Sequence, residues 1–222
     1  MDTNKGHGRI APLTGIAFVV LVIVGFILAG EPPDAKQDNA RELVEHFTDK
    51  KDEAIFGAAL AMAGSALFVF FGAFLRSLLI DSGDRSFFPT VVFAGTVIFA
   101  TGVAIDSTIT FTLAETADDI SPDSVVTLGA LWENDFMPFA LGGLLFLSAL
   151  GLSTVRHGGV LPKWLGWVLI VLAVTAVTPI GYVAIIGMAL LVIIISVMLV
   201  LRAGRSGRSG TMPPDDRAAH TA

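Results

Sequence analysis

Four side chains in otherwise apolar stretches of this chain could do chemistry: Asp106, Thr110, Glu133 and Asp135. A carboxylate at mid-bilayer costs about 2.5 to 3.5 kcal/mol on insertion scales, so intramembrane acids usually mark an ion or proton path. Asp106 lies nine residues before Glu115, roughly 13 Å along a continuous helix. Glu133 and Asp135 follow Asp123 by ten and twelve residues, roughly 15 to 18 Å. The three acids could therefore share one layer in the outer half of a membrane. Thr108 and Thr110 could add oxygen ligands, and Pro138 should release the carbonyl of Asn134, four residues earlier, toward a cation. No Lys, Arg or His lies in the same stretches, so the acids must be protonated, hydrated or bound to a cation. The competing reading places Trp132 at the interface with the acids solvated beside it. A third makes them a partner interface.

Facing supports an inward Asp106. Gly95, Gly102 and Asp106 are seven and four residues apart, on one helix face, where glycine allows close packing in lipid. Asp135 and Gly142 repeat the seven-residue spacing. Glu133 and Asp135 are about 200° apart around a helix and cannot both point at one interior site.

The elements that must position these residues are membrane helices. Of 222 residues, 54% are hydrophobic and 15% charged, which excludes an ordinary soluble domain. Apolar blocks run over 10–29, 54–80, 90–113 and 125–154, followed by a double-length block over 161–201. That last block would measure roughly 60 Å as one helix, twice the core thickness, and Pro179 with Gly181 supplies a break in it. The sequence thus predicts an all-α membrane bundle of six transmembrane helices within a domain over 1–202, the last two at 161–178 and 181–201. Residues 203–222, rich in Gly, Ser, Arg and Pro, should form a disordered cytoplasmic tail. A single proline-kinked fifth helix is the alternative.

Loop charge agrees with six. With the N-terminus inside, the inner side holds Lys5, Arg9, Arg76, Arg85, Arg156, Lys163 and the tail arginines, while Glu115, Asp118, Asp119 and Asp123 fall outside, as the positive-inside rule requires. The first block is longer than a signal core and lacks small-x-small residues at Ile27-Leu28-Ala29, so it reads as an uncleaved span. In the first outer loop Ala40, Leu43, Val44 and Phe47 recur at helical spacing, giving an amphipathic outer helix over about 35–50. Asp34 with Gln37, or Asn39 with Glu42, could form its capping box. Gly57, Ala61 and Ser65 form a small-xxx-small stripe, and Trp164 and Trp167 are interface anchors.

Several function classes are excluded. There is no cysteine, hence no thiolate catalysis or thiolate metal site. The four histidines lie outside the spans, which argues against catalytic zinc, bis-histidine haem and an intramembrane protease using Gly64-Ser65. Net charge of −6, concentrated in the outer loops, argues against nucleic acid. No three-plus-three repeat of the secondary-transporter kind is visible. No cofactor is expected.

Three pieces of the second half, Glu133-Asn134-Asp135-Phe136-Met137-Pro138-Phe139, Leu161-Pro162-Lys163-Trp164-Leu165-Gly166-Trp167 and Thr178-Pro179-Ile180-Gly181, resemble an uncharacterised family of multi-span integral membrane proteins from high-GC Gram-positive bacteria. The resemblance implies a plasma-membrane location and a helical bundle, and it carries no catalytic residues. The expectation is a non-enzymatic membrane protein acting through contacts with lipid, with other membrane proteins or with a second copy. The alternative is a cation- or proton-coupled small transporter using the acidic layer.

Overall fold

The computed structural model describes residues 11–158, 160–176, 178 and 181–206. Among these residues all regular structure is helical: α1 (Leu13–Ala29), α2 (Ala40–Asp49), α3 (Lys51–Asp81), α4 (Phe88–Thr116), α5 (Pro122–Glu133), α6 (Phe136–His157), α7 (Lys163–Thr175) and α8 (Gly181–Ser206). Four segments are long and apolar enough to cross a membrane: α3, α4, α5 with α6, and α8. The apolar helices α1 and α7 are shorter.

The long helices pack up and down. Gly25 lies against Gly57 between α1 and α3, Gly72 against Thr96 between α3 and α4, and Gly95 against Phe146 between α4 and α6. Gly151 meets Gly166 between α6 and α7, and Gly187 meets Leu172 between α7 and α8. Gly15 against Phe71 with Gly25 against Gly57, Gly95 against Phe146 with Gly102 against Pro138, and Gly151 against Ile170 with Gly166 against Val155 show one residue number rising as the other falls, the signature of antiparallel neighbours. Helix α8 returns to α1, where Ser196 faces Gly15, so the ring closes. All loops therefore gather at two ends. One carries the acidic segments after α1 and α4; the other carries Arg76, Arg85, Arg156 and Lys163.

The small-residue stripe of α3 serves contacts within the chain. A methyl at Gly57 would sit 2.4 Å from the Gly25 carbonyl oxygen, and Gly64 faces Phe18 and Val22. The core then fills with aromatics. Phe18 stacks on Phe68 with ring centroids 4.3 Å apart, and Phe99 and Phe146 meet Phe68 edge-on, the arrangement that ring quadrupoles favour. Phe68 and Phe71 are wholly buried, whereas Phe70 points outward.

At the acidic end Leu43 and Phe47 of α2 join Ile109, Leu113, Val125 and Val126 in a second apolar cluster, distinct from the bundle core. The amphipathic helix thus rests on the bundle, and its apolar spacing is the face it buries. It is shorter than expected, beginning at Ala40 after a 3-10 turn over Gln37–Asn39. Neither expected capping box forms: Asn39 donates to the Asp34 carbonyl and Asp34 pairs with Lys36. The Ala35 amide donates instead to Glu133 at 2.6 Å, so the start of this segment is held by a distant carboxylate.

Helix boundaries differ from the sequence expectation in three further places. The block over 125–154 is two helices, α5 and α6, interrupted at Asn134 and Asp135. Pro138 therefore occupies the first turn of α6, where a missing amide costs nothing. The freed carbonyl expected at Asn134 is part of a helix end rather than a mid-helix gap. Helices α7 and α8 end and begin at Thr175 and Gly181; Pro179 and Ile180, where the break was expected, lie outside the described residues. Helix α8 continues to Ser206, four residues into the expected tail, whose remainder, 207–222, also lies outside them.

The basic end is tied by one buried acid. Asp84, 1% exposed in the α3–α4 turn, accepts from Ser86 N–H at 2.9 Å, from Ser86 Oγ at 2.6 Å and from Ser153 Oγ of α6. The His157 imidazole stands 3.4 Å away. Burial by itself would raise this carboxyl. The hydroxyl and amide donors and the imidazole outweigh it and hold Asp84 below the ordinary 3.8. Beside it Arg156 covers the Phe88 ring, and Arg202 donates to the Val160 carbonyl.

Candidate functional site

The glycine face of α4 brings Asp106 inward. A methyl at Gly95 or at Gly142 would lie 2.4 Å from backbone nitrogen of the opposite helix, and Gly102 abuts Pro138. With α4 and α6 in backbone contact, the residue one turn beyond Gly102 faces the junction of α5 and α6. Asp106 is accordingly 7% exposed. It lines one cavity with Trp132 and Asp135.

The α5–α6 interruption places Asp135. Asn134 folds its side chain back to the Ala130 carbonyl at 2.7 Å, ending α5, and Asp135 precedes α6. One Asp135 oxygen, Oδ2, is buried without a hydrogen-bond partner.

Asp106, Thr110, Trp132 and Asp135 line one cavity of about 600 Å³, bounded by α1, α4, α6 and α8. Its remaining wall is overwhelmingly aliphatic and aromatic. Val19 and Ile23 of α1 face Ile186 and Ile193 of α8 across it, and Phe99 and Phe139 form its inner side. Glu31, just past α1, closes the acidic end. No Lys, Arg or His lines the cavity among the described residues.

Three of the four candidate residues therefore converge and one does not. Glu133 is exposed and accepts from the Ala35 amide; it is a fastening for the outer segment, and because the helix stops between Glu133 and Asp135 their expected separation around one helix does not apply. Thr108 is exposed too, its hydroxyl donating to the Ala104 carbonyl at 2.7 Å. Among the described residues no three His, Asp or Glu side chains converge as a metal ion would need. The expected acidic layer is thus a pair.

The pair also stands far from the basic end of the bundle. Asp106 follows Phe88 by eighteen residues, roughly 27 Å of helix, and α6 spans 22 residues after Asp135, roughly 33 Å. Each distance nearly equals the ~30 Å hydrocarbon thickness. The earlier estimate measured from Glu115 and Asp123, but α5 and the last turns of α4 belong to the outer cluster with α2.

Sequence reasoning missed the cavity, Glu31 and the Asp84 cluster. Asp84 did carry a local signal, since Asp followed two residues later by Ser suits a side-chain-capped turn. The cavity carried none, because its walls come from four helices that are remote in sequence. No known family model matches the chain, and no curated protein or solved structure is similar to it.

Proposed function

We propose that the chain is a six-span protein of the plasma membrane, with both termini cytoplasmic, that acts without catalysis by holding a small membrane-soluble molecule between α1, α4, α6 and α8. The observation that carries this is the cavity, whose ~600 Å³ falls in the 300 to 1,000 Å³ range of small-molecule sites. An apolar wall with few convergent polar groups is the usual character of such sites. The cavity is what shifts the reading from partner contacts toward a bound molecule. Because its polar groups are carboxylates, movement of that molecule coupled to a proton or cation is the second reading.

Six crossings follow from counting α1 and α7 with the four longer segments. Helix α1 packs antiparallel to α3, and α7 antiparallel to α6. Two crossings fewer would leave Leu13–Ala29 and Lys163–Thr175, both apolar, in water. A reporter active only outside the cytoplasm, fused after residue 222, should be silent, whereas the same reporter inserted at Asp119 should be active. An active C-terminal fusion refutes the topology.

Binding is tested with a lipid-soluble diazirine. Carbene insertion should appear at cavity residues such as Val103 and Met188, should compete with unlabelled analogue, and should fall several-fold in Ala189→Phe, which fills the space. Labelling confined to lipid-facing residues such as Val171 and Ile194, with no competition, removes the proposal.

A further inference from the structure

The cavity has a polarity along its length, and that polarity specifies a ligand. At the acidic end stand Asp106, Asp135 and Glu31, with Trp132 among them. From there the walls run toward the middle of the bundle as Val19, Phe99, Met188 and Ile193, with no further charged group. The two aspartates sit roughly 27 to 33 Å from the basic end of their helices by rise per residue, where the hydrocarbon core gives way to headgroups. Charge at the interface and apolar wall below it is the pattern of an amphiphile standing in one leaflet.

We infer that the site takes an amphiphilic monocation, a protonated or quaternary alkylammonium, with its head between Asp106, Asp135 and Trp132 and its hydrocarbon body lying between α1 and α8. This rests on the binding function proposed above and adds the class of ligand. The sign of charge follows from three carboxylates and no cationic side chain along the lining, so an anionic headgroup would meet repulsion from these carboxylates. Asp135 Oδ2, buried and without a partner, is an acceptor awaiting a donor or a cation. Trp132, with Phe136 and Phe139 beside the acids, supplies the aromatic faces that attract alkylammonium groups. The cavity is not sealed: exposed Ile23 on α1 and exposed Ile186 and Leu190 on α8 line it, so the ligand reaches it sideways from the bilayer.

The chain has three tryptophans, and Trp164 and Trp167 lie exposed at the start of α7, at the basic end. In a Trp164→Phe/Trp167→Phe background Trp132 reports alone. The purified protein in zwitterionic nanodiscs is titrated with brominated dodecyltrimethylammonium, brominated dodecanol and brominated dodecyl sulfate, and quenching of Trp132 is read. The cation should quench saturably with an apparent Kd at least tenfold below that of the alcohol, and the sulfate should quench no more than its bulk partitioning predicts. Asp106→Asn and Asp135→Asn should each remove most of that preference; Asp135, being only half-buried, supplies the variant if Asp106→Asn does not fold. Equal saturable quenching by cation and alcohol, unchanged in both variants, overturns the cationic ligand while leaving the binding site standing. Quenching by all three at bulk-partition level overturns both. Extraction of the protein before titration separates the sources: an amine lipid recovered in stoichiometric amount identifies a membrane component as the natural occupant, and an empty extract identifies a soluble amphiphile.

Discussion

Gly142→Ala should destabilise the bundle by about 2 to 3 kcal/mol, the upper part of the range for overpacked interiors, although it adds one methyl group. That methyl would lie 2.4 Å from the Phe99 amide nitrogen and 2.7 Å from its Cα. Both are backbone atoms of α4, so no rotamer change can make room. The helices must separate, and the Gly95 contact on the facing helix, equally close to Phe146, opens with them. Gly143 is the control. A methyl there meets only Met188 Sδ at 3.9 Å, ordinary contact with a flexible side chain, so Gly143→Ala should stay within about 0.5 kcal/mol of wild type. Unfolding by sodium dodecyl sulfate in mixed micelles, followed by tryptophan fluorescence, checks both. Equal effects of the two substitutions would mean that the α4–α6 backbone contact is absent.

Asp84→Ala should cost about 3 kcal/mol, because it removes an ionised acceptor for buried hydroxyl and amide donors, each such bond being worth about 1.5 to 3 kcal/mol. Ser153, 1% exposed, would keep a hydroxyl without its acceptor. Asp84→Asn keeps one oxygen and should lose about half as much. The pH dependence has a definite sign. Asp84 is held below the ordinary 3.8, so its ionised form stabilises the folded state fully above that pH, and the contribution fades as pH falls through the lower folded value. The stability gap between wild type and Asp84→Ala should therefore be present above pH 3.8 and narrow below it. A gap that widens on acidification would contradict the hydrogen-bonded carboxylate.

Much of the architecture is legible because lipid demands it. Every buried amide must bond within its own helix, so apolar block length alone announces helices, and glycine spacing announces which faces touch. Gly95, Gly102 and Asp106 lie where that spacing put them, against α6 and its lead-in. The α5–α6 interruption falls on Glu133-Asn134-Asp135, the polar residues of the 125–154 block, and was missed because the apolar residues on either side read as one span, although Ser121 does cap α5 and Pro122 sits at its start as a helix opener should. Partnerships across the fold were hidden for a different reason. Glu133 with Ala35 and Asp84 with Ser153 are separated by 98 and 69 residues, and no local pattern encodes either. Asp106 and Asp135 could be suspected as a pair from helix rise; Glu133 could be set apart only by its bond.

Helix α7 has 13 residues, so it rises roughly 20 Å, whereas α3, α4, α6 and α8 each reach roughly 30 Å or more. Its outward face is Trp164, Trp167, Val168, Val171 and Val174, all exposed. In the six-span arrangement the bilayer on that flank meets a hydrophobic belt about 10 Å too short, while the flank formed by α3 and α4 meets one of full height. With α7 as a crossing, the lipid would thin beside it, at a fraction of a kcal/mol for each ångström. In that arrangement the molecule would sit in its membrane as a wedge, with a preference for thin or readily deformed surroundings on one side only.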